Sequence, residues 1–111
     1  MKALTILLLA AFSLPAANYY LTIAGLGGAP EYDAEFPKWA AELAHELQQN
    51  GPDAHVLTLT GNEATRGRIE AAFAQLSSEI APEDAFALML IGHGTFDGVD
   101  YKFNIPGPDL T

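Results

Sequence analysis

The sequence predicts an α/β fold, a three-layer sandwich around a parallel sheet of strand order 2-1-3. Strand-like and helix-like segments alternate along the chain, the pattern that right-handed crossovers between parallel strands produce. Two of the segments between strands repeat apolar residues at helical spacing. One strand-like run, Ala85 to Ile91 (AFALMLI), is apolar without alternation, as expected of a strand covered on both faces.

The elements follow in order. Met1 and Lys2 form a minimal charged start, Ala3 to Leu14 (ALTILLLAAFSL) is an apolar run, and Pro15, Ala16 and Ala17 follow as a break with small residues. This is the layout of a secretory signal peptide over residues 1–17, too short to span a bilayer comfortably, with cleavage expected after Ala16 or Ala17. Tyr19 to Ala24 (YYLTIA) is rich in β-formers and runs into Gly25, Gly27, Gly28 and Pro30, hence a strand and then a loop. Phe36, Trp39 or Ala40, Leu43 and Leu47 mark a first amphipathic helix, with Pro37 in its first turn and Asn50-Gly51-Pro52 as its stop. Ala54 to Thr60 is a second strand, closed by Gly61-Asn62. Ile69, Phe73, Leu76 and Ile80 place a second helix at about Thr65 to Ser78, and Pro82 separates it from the third strand. Beyond Thr95, Asp97-Gly98 and Asp100 flank a turn, Tyr101 to Ile105 suits a short strand, and Asp109-Leu110-Thr111 has the composition of a new helix start. The expected organisation is therefore a signal peptide and an α/β domain over residues 18–111 that is truncated at its carboxyl end.

Charge narrows the partners. The net charge is −9, and loss of the leader with Lys2 makes it −10. Such a surface repels nucleic acid and anionic lipid. The chain has no cysteine, so it forms no disulfide. After signal removal, a periplasmic or secreted protein that is not integral to the membrane is expected.

The chemistry gathers where the third strand ends, at Gly92-His93-Gly94. A strand that delivers an imidazole to its carboxyl end puts a titratable group where open α/β sheets bind ligands. His93 either plugs the sheet end through hydrogen bonds or serves as a general base or acid. In the second case Gly94 offers a backbone N–H to a developing oxyanion with no Cβ in the way. Other routes fail on spacing. Gly92 to Phe96 (GHGTF) has Gly94 where a nucleophile elbow needs serine. Gly25-Leu26-Gly27-Gly28 starts like a dinucleotide loop, but Gly27 to Pro30 lacks the G-x-x-G spacing that would complete it, and Pro30 with Glu31 and Asp33 opposes phosphate. His45, among Glu42 and Glu46, and His55 suit a solvated helix face and a strand edge, so neither a metal nor a cofactor is expected. Asp97 and Asp100 suit a turn, and if they line the same cleft as His93 they favour a basic group on a ligand.

The order of strand, glycine loop, helix, strand, helix and an apolar third strand ending in His93-Gly94, then a hairpin, resembles the amino-terminal half of the caspase and legumain type cysteine peptidases, bacterial caspase-like proteins above all. The likeness covers residues 19–111, with the run into His93-Gly94 as its sharp motif. It implies peptide-bond hydrolysis by a Cys-His dyad, with His93 as the dyad histidine and Gly94 as an oxyanion donor. It also implies a peptide or protein substrate near Gly27, Gly28, Asp97 and Asp100. The family's cysteine follows a fourth strand, and neither that strand nor any cysteine stands in this chain. The glycine loop also lacks the basic residue that caspases use to receive an acidic side chain. The alternatives are a non-catalytic exported binding module or pseudopeptidase using the acidic cleft near His93, and a hydrolase half completed by a serine downstream.

Overall fold

The structure is a computed structural model that describes residues 16–111. The signal peptide read at residues 1–17 lies outside the described residues except for Ala16 and Ala17. Strands β1 (Asn18–Ala24), β2 (Ala54–Leu59) and β3 (Ala85–Ile91) form one parallel sheet in the order β2-β1-β3. The crossovers carry helices α1 (Pro30–Gln48) and α2 (Arg66–Glu79). After β3 the chain turns into an antiparallel hairpin of β4 (Gly94–Phe96) and β5 (Tyr101–Phe103). The α/β class and the 2-1-3 order are those the sequence predicts.

The two helices occupy opposite faces, as alternation along β1 requires. Tyr19, Leu21 and Ile23 pack with Ile69, Ala72 and Leu76 of α2, and with Leu59, Ala64 and Ile105. Ala24, on the other face, packs with Phe36 and Ala40 of α1 and with Ile91. Fully burying a leucine or isoleucine stabilises a fold by roughly 1.5–3 kcal/mol. β1, fully buried at Leu21, Thr22 and Ile23, is therefore the energetic centre of the molecule.

The first helix begins earlier than its apolar spacing suggests. Pro30 occupies the first turn, where its fixed φ and missing N–H cost nothing, and Glu31 and Asp33 face the positive end of the helix dipole. Pro37 consequently lies inside the helix rather than in its first turn. An interior proline costs about 3 kcal/mol, a cost set against the burial of Phe36 and Ala40 on either side of it. The second helix starts where its cap predicts: Thr65 Oγ1 accepts from Arg68 N–H at 3.4 Å.

Two expectations are corrected. β3 is not covered on both faces: Phe86, Leu88 and Leu90 are 40%, 42% and 50% exposed. They share the face of Tyr19, Leu21 and Ile23, but the buried side chains of α2 pack over β1 and the end of β2. An unbroken apolar run reports the affinity of a strand for cover, not that cover exists within the same 96 described residues. Nor does a helix open at Asp109. Leu110 exchanges both backbone hydrogen bonds with Phe103, at 2.8 and 3.1 Å, and Asp109 Oδ1 accepts from Ile105 N–H, so the segment lies against β5 as a third ribbon. The Arg66 guanidinium donates to the Asp109 carbonyl and ties that ribbon to α2.

At the opposite end of the sheet, Ala17 N–H donates to Asp84 Oδ1 at 2.9 Å and the Ala17 carbonyl accepts from Ala85 N–H at 3.0 Å. Among the described residues, no helix is long and apolar enough to cross a membrane.

Candidate functional site

His93 stands just past β3, next to the loop that leaves β1. Its Nε2 lies 2.9 Å from the Gly27 carbonyl oxygen. A carbonyl has no proton to give, so Nε2 carries the hydrogen and donates it. In the neutral ring the lone pair is then on Nδ1, which makes Nδ1 the basic atom. Two aromatic rings of α1 hold the imidazole in plane: Tyr32 meets it edge-on at 5.8 Å between centroids and Phe36 is tilted against it at 5.4 Å.

Gly27 is fixed from both sides of its peptide. Its N–H donates to Asp33 Oδ1 at 3.0 Å, and its carbonyl accepts from His93. A Cβ on Gly27 would stand 2.3 Å from Asp33 N and 2.4 Å from the Tyr32 carbonyl carbon, so only glycine fits. Gly28 follows at φ +77°, a left-handed conformation that favours glycine, with its virtual Cβ 3.8 Å from His93 Cδ2. The structure thus brings Gly27 and Gly28 next to His93.

The hairpin completes the surroundings and orients Gly94. Asn104 N–H donates to the His93 carbonyl at 3.0 Å, and the Asn104 carbonyl accepts from Leu26 N–H at 2.9 Å, so one residue clips the ends of β1 and β3 together. His93 and Asn104 thus share one ladder hydrogen bond, the Asn104 carbonyl going to Leu26 instead. By alternation the next pair, Gly94 and Phe103, is a non-bonded one. Phe103 confirms this by spending its N–H and C=O on Leu110. The Gly94 N–H accordingly points away from β5. Chemically, a ring whose Nδ1 makes no hydrogen bond among the described residues and, one residue on, an N–H turned out of the ladder have the character of a proton acceptor and an anion-stabilising donor.

Asp97 and Asp100 belong to the hairpin turn. Asp97 Oδ1 accepts from Val99 N–H and Asp100 N–H at 2.9 and 2.8 Å, and Oδ2 pairs with Lys102 Nζ at 3.2 Å. The hydrogen bonds from Asp100 and Val99, followed by Lys102, hold the Asp97 carboxyl down to about 2. Among the described residues, no hydrogen bond or ion pair joins Asp97 or Asp100 to His93, so the structure assembles them as turn formers. No group of three metal-ligating side chains occurs among the described residues.

Sequence reasoning missed Asp33, Tyr32 and Asn104. Asp33 and Tyr32 were hidden by placing the helix start too late; Pro30 followed by acidic residues was the available signal. Asn104 acts only through its backbone, which leaves no signal in its side chain. No family model, no curated protein and no solved structure matches this chain.

Proposed function

We propose that this chain is the base-and-oxyanion half of an exported caspase/legumain-like cysteine peptidase domain, whose thiol comes from outside these 111 residues. The supporting observation is the His93 Nε2–H···O=C Gly27 hydrogen bond, which fixes the tautomer and leaves Nδ1 to take a proton. In the proposed reaction His93 Nδ1 removes the thiol proton, the thiolate attacks the scissile carbonyl, and the oxyanion is met by the outward N–H of Gly94. His93 then returns the proton to the leaving amine as the C–N bond breaks, and water, giving its proton to the same Nδ1, cleaves the resulting thioester to release the acid and restore the thiol. Gly27 and Gly28 would border the substrate, a peptide or protein. Without cysteine the chain by itself performs no thiol chemistry.

Export fits the same reading. Cleavage after Ala16 would leave a new ammonium on Ala17 against Asp84 Oδ1, 2.9 Å from the nitrogen, whereas cleavage after Ala17 would remove that contact. Amino-terminal sequencing of the exported product should read Ala17-Asn18.

The decisive test follows the reading frame past the Thr111 codon, expresses the longest product and assays hydrolysis of a fluorogenic peptide panel. A cysteine in the continuation, with activity that falls at least about 10²-fold in His93→Ala, is the expected result. A continuation lacking cysteine, or hydrolysis indifferent to His93→Ala, overturns the proposal. A G-x-S-x-G in its place would make the parent a serine hydrolase. No nucleophile at all would leave a binding module.

A further inference from the structure

The open edge of β3 has a register that matches itself. Ala85 N–H donates to Ala17 and the Ile91 carbonyl accepts from Gly25 N–H, so the odd residues of β3 direct their backbone groups to β1. Phe86, Leu88 and Leu90 therefore direct three N–H and three C=O groups to the other side, where no strand pairs among the described residues. We infer that a second copy of this chain adds here, antiparallel, about a two-fold axis through Leu88.

In that register Leu88 faces Leu88 of the second copy, and Phe86 faces Leu90 in each direction. All three are bonded pairs, so every one of the open backbone groups is used, in six hydrogen bonds. Side chains agree on both faces. On the exposed one, Phe86, Leu88 and Leu90 meet only apolar partners. On the other, small meets large: Ala85 opposite Ile91 and Ala87 opposite Met89. The edge carries no charge, proline or bulge, although the chain carries −9 overall. The usual devices that keep strand edges apart are missing from this one.

The apolar surface continues past the strand. Phe73, 40% exposed, meets Phe86 edge-on, and a groove of about 370 Å³ runs between Phe73, Leu88 and Leu90 on one side and Tyr101 and Phe103 on the other. A strand edge with this border suits a weak, isologous dimer, with a dissociation constant between about 1 and 100 μM. The dimer is a property of these 111 residues and is argued apart from the peptidase reading, in which a fourth strand carrying the thiol to His93 would take the same edge in its place.

Sedimentation equilibrium of the chain from Ala17 to Thr111, the product expected after signal removal, from 1 to 200 μM tests it. The expected result is a monomer-dimer equilibrium, weakened at least 100-fold by Leu88→Lys, which sets two introduced charges face to face at an already exposed position. Leu88→Cys supplies an independent check, because the chain has no other cysteine and the bonded pair spaces its Cα atoms at about 5.5 Å, within disulfide range. Under mild oxidation it should give a covalent dimer at least ten times faster than Val99→Cys on the exposed hairpin tip. A monomer at 200 μM, an assembly unaffected by Leu88→Lys, or equal cross-linking from both cysteines would overturn the inference.

Discussion

At the scale of single residues, the orienting acceptor of His93 is a main-chain oxygen, so no side-chain deletion removes it directly. What can be removed is the space that lets the Gly27 peptide lie there. Gly27→Ala should cost about 2–3 kcal/mol in urea unfolding, since the added methyl meets backbone atoms of α1 that cannot swing aside. It should also free the ring: long-range ¹H–¹⁵N correlations should show an Nε2–H tautomer in the native chain and mixed tautomers in the variant. A native chain with Nδ1–H would contradict the geometry. The opposite sign is expected at Thr22, whose hydroxyl is fully buried without a hydrogen-bond partner among the described residues. Thr22→Val keeps the shape and discards the orphan, and should raise stability by about 1 kcal/mol. At this scale the sequence was readable where chemistry and position coincide, as in the imidazole between Gly92 and Gly94. It was silent about Asn104 and about the Gly27 carbonyl, because backbone groups are the same in every residue.

At the scale of elements, helical spacing located both α-helices and apolar or β-rich runs located the three strands of the sheet, and the reading failed where a tertiary contact outweighs local preference. Asp109-Leu110-Thr111 carries helix-start chemistry, yet pairing with Phe103 and the guanidinium of Arg66 holds it extended. The β4–β5 hairpin gives a prediction of its own. Asp97 is ionised in the fold down to about 2, against an ordinary value of 3.8. The carboxylate therefore stabilises the turn in full above about pH 4, and that contribution is lost as pH falls through 2. The Val99 and Asp100 amide resonances should titrate with a midpoint near 2. A midpoint near 3.8 would mean that the two hydrogen bonds to Asp97 do not form. The ion pair with Lys102 is exposed and adds little, so salt should move this midpoint only slightly.

At the scale of the whole molecule, class and strand order were legible because alternating segments leave few topologies for a parallel sheet. The cover of β3 was not, since composition states what a strand would bury and not what is there to bury it. The central position of β1 also has a consequence in time. Asn18 pairs with Ala54 on one side and with Ala85 on the other, so the first strand made waits for the last before its ladder is complete. At about 5–20 residues per second, those intervening residues occupy a ribosome for seconds. During that interval Leu21 and Ile23 can meet Leu59 and the apolar side of α2, but the β3 side of their ladder stays open. Refolding from urea should be correspondingly slow for so short a chain, in the millisecond-to-second range of non-local topologies rather than microseconds, as stopped-flow fluorescence of Trp39 would show. An export route that delivers the chain unfolded would spare it that wait by presenting β1 and β3 to each other almost at once.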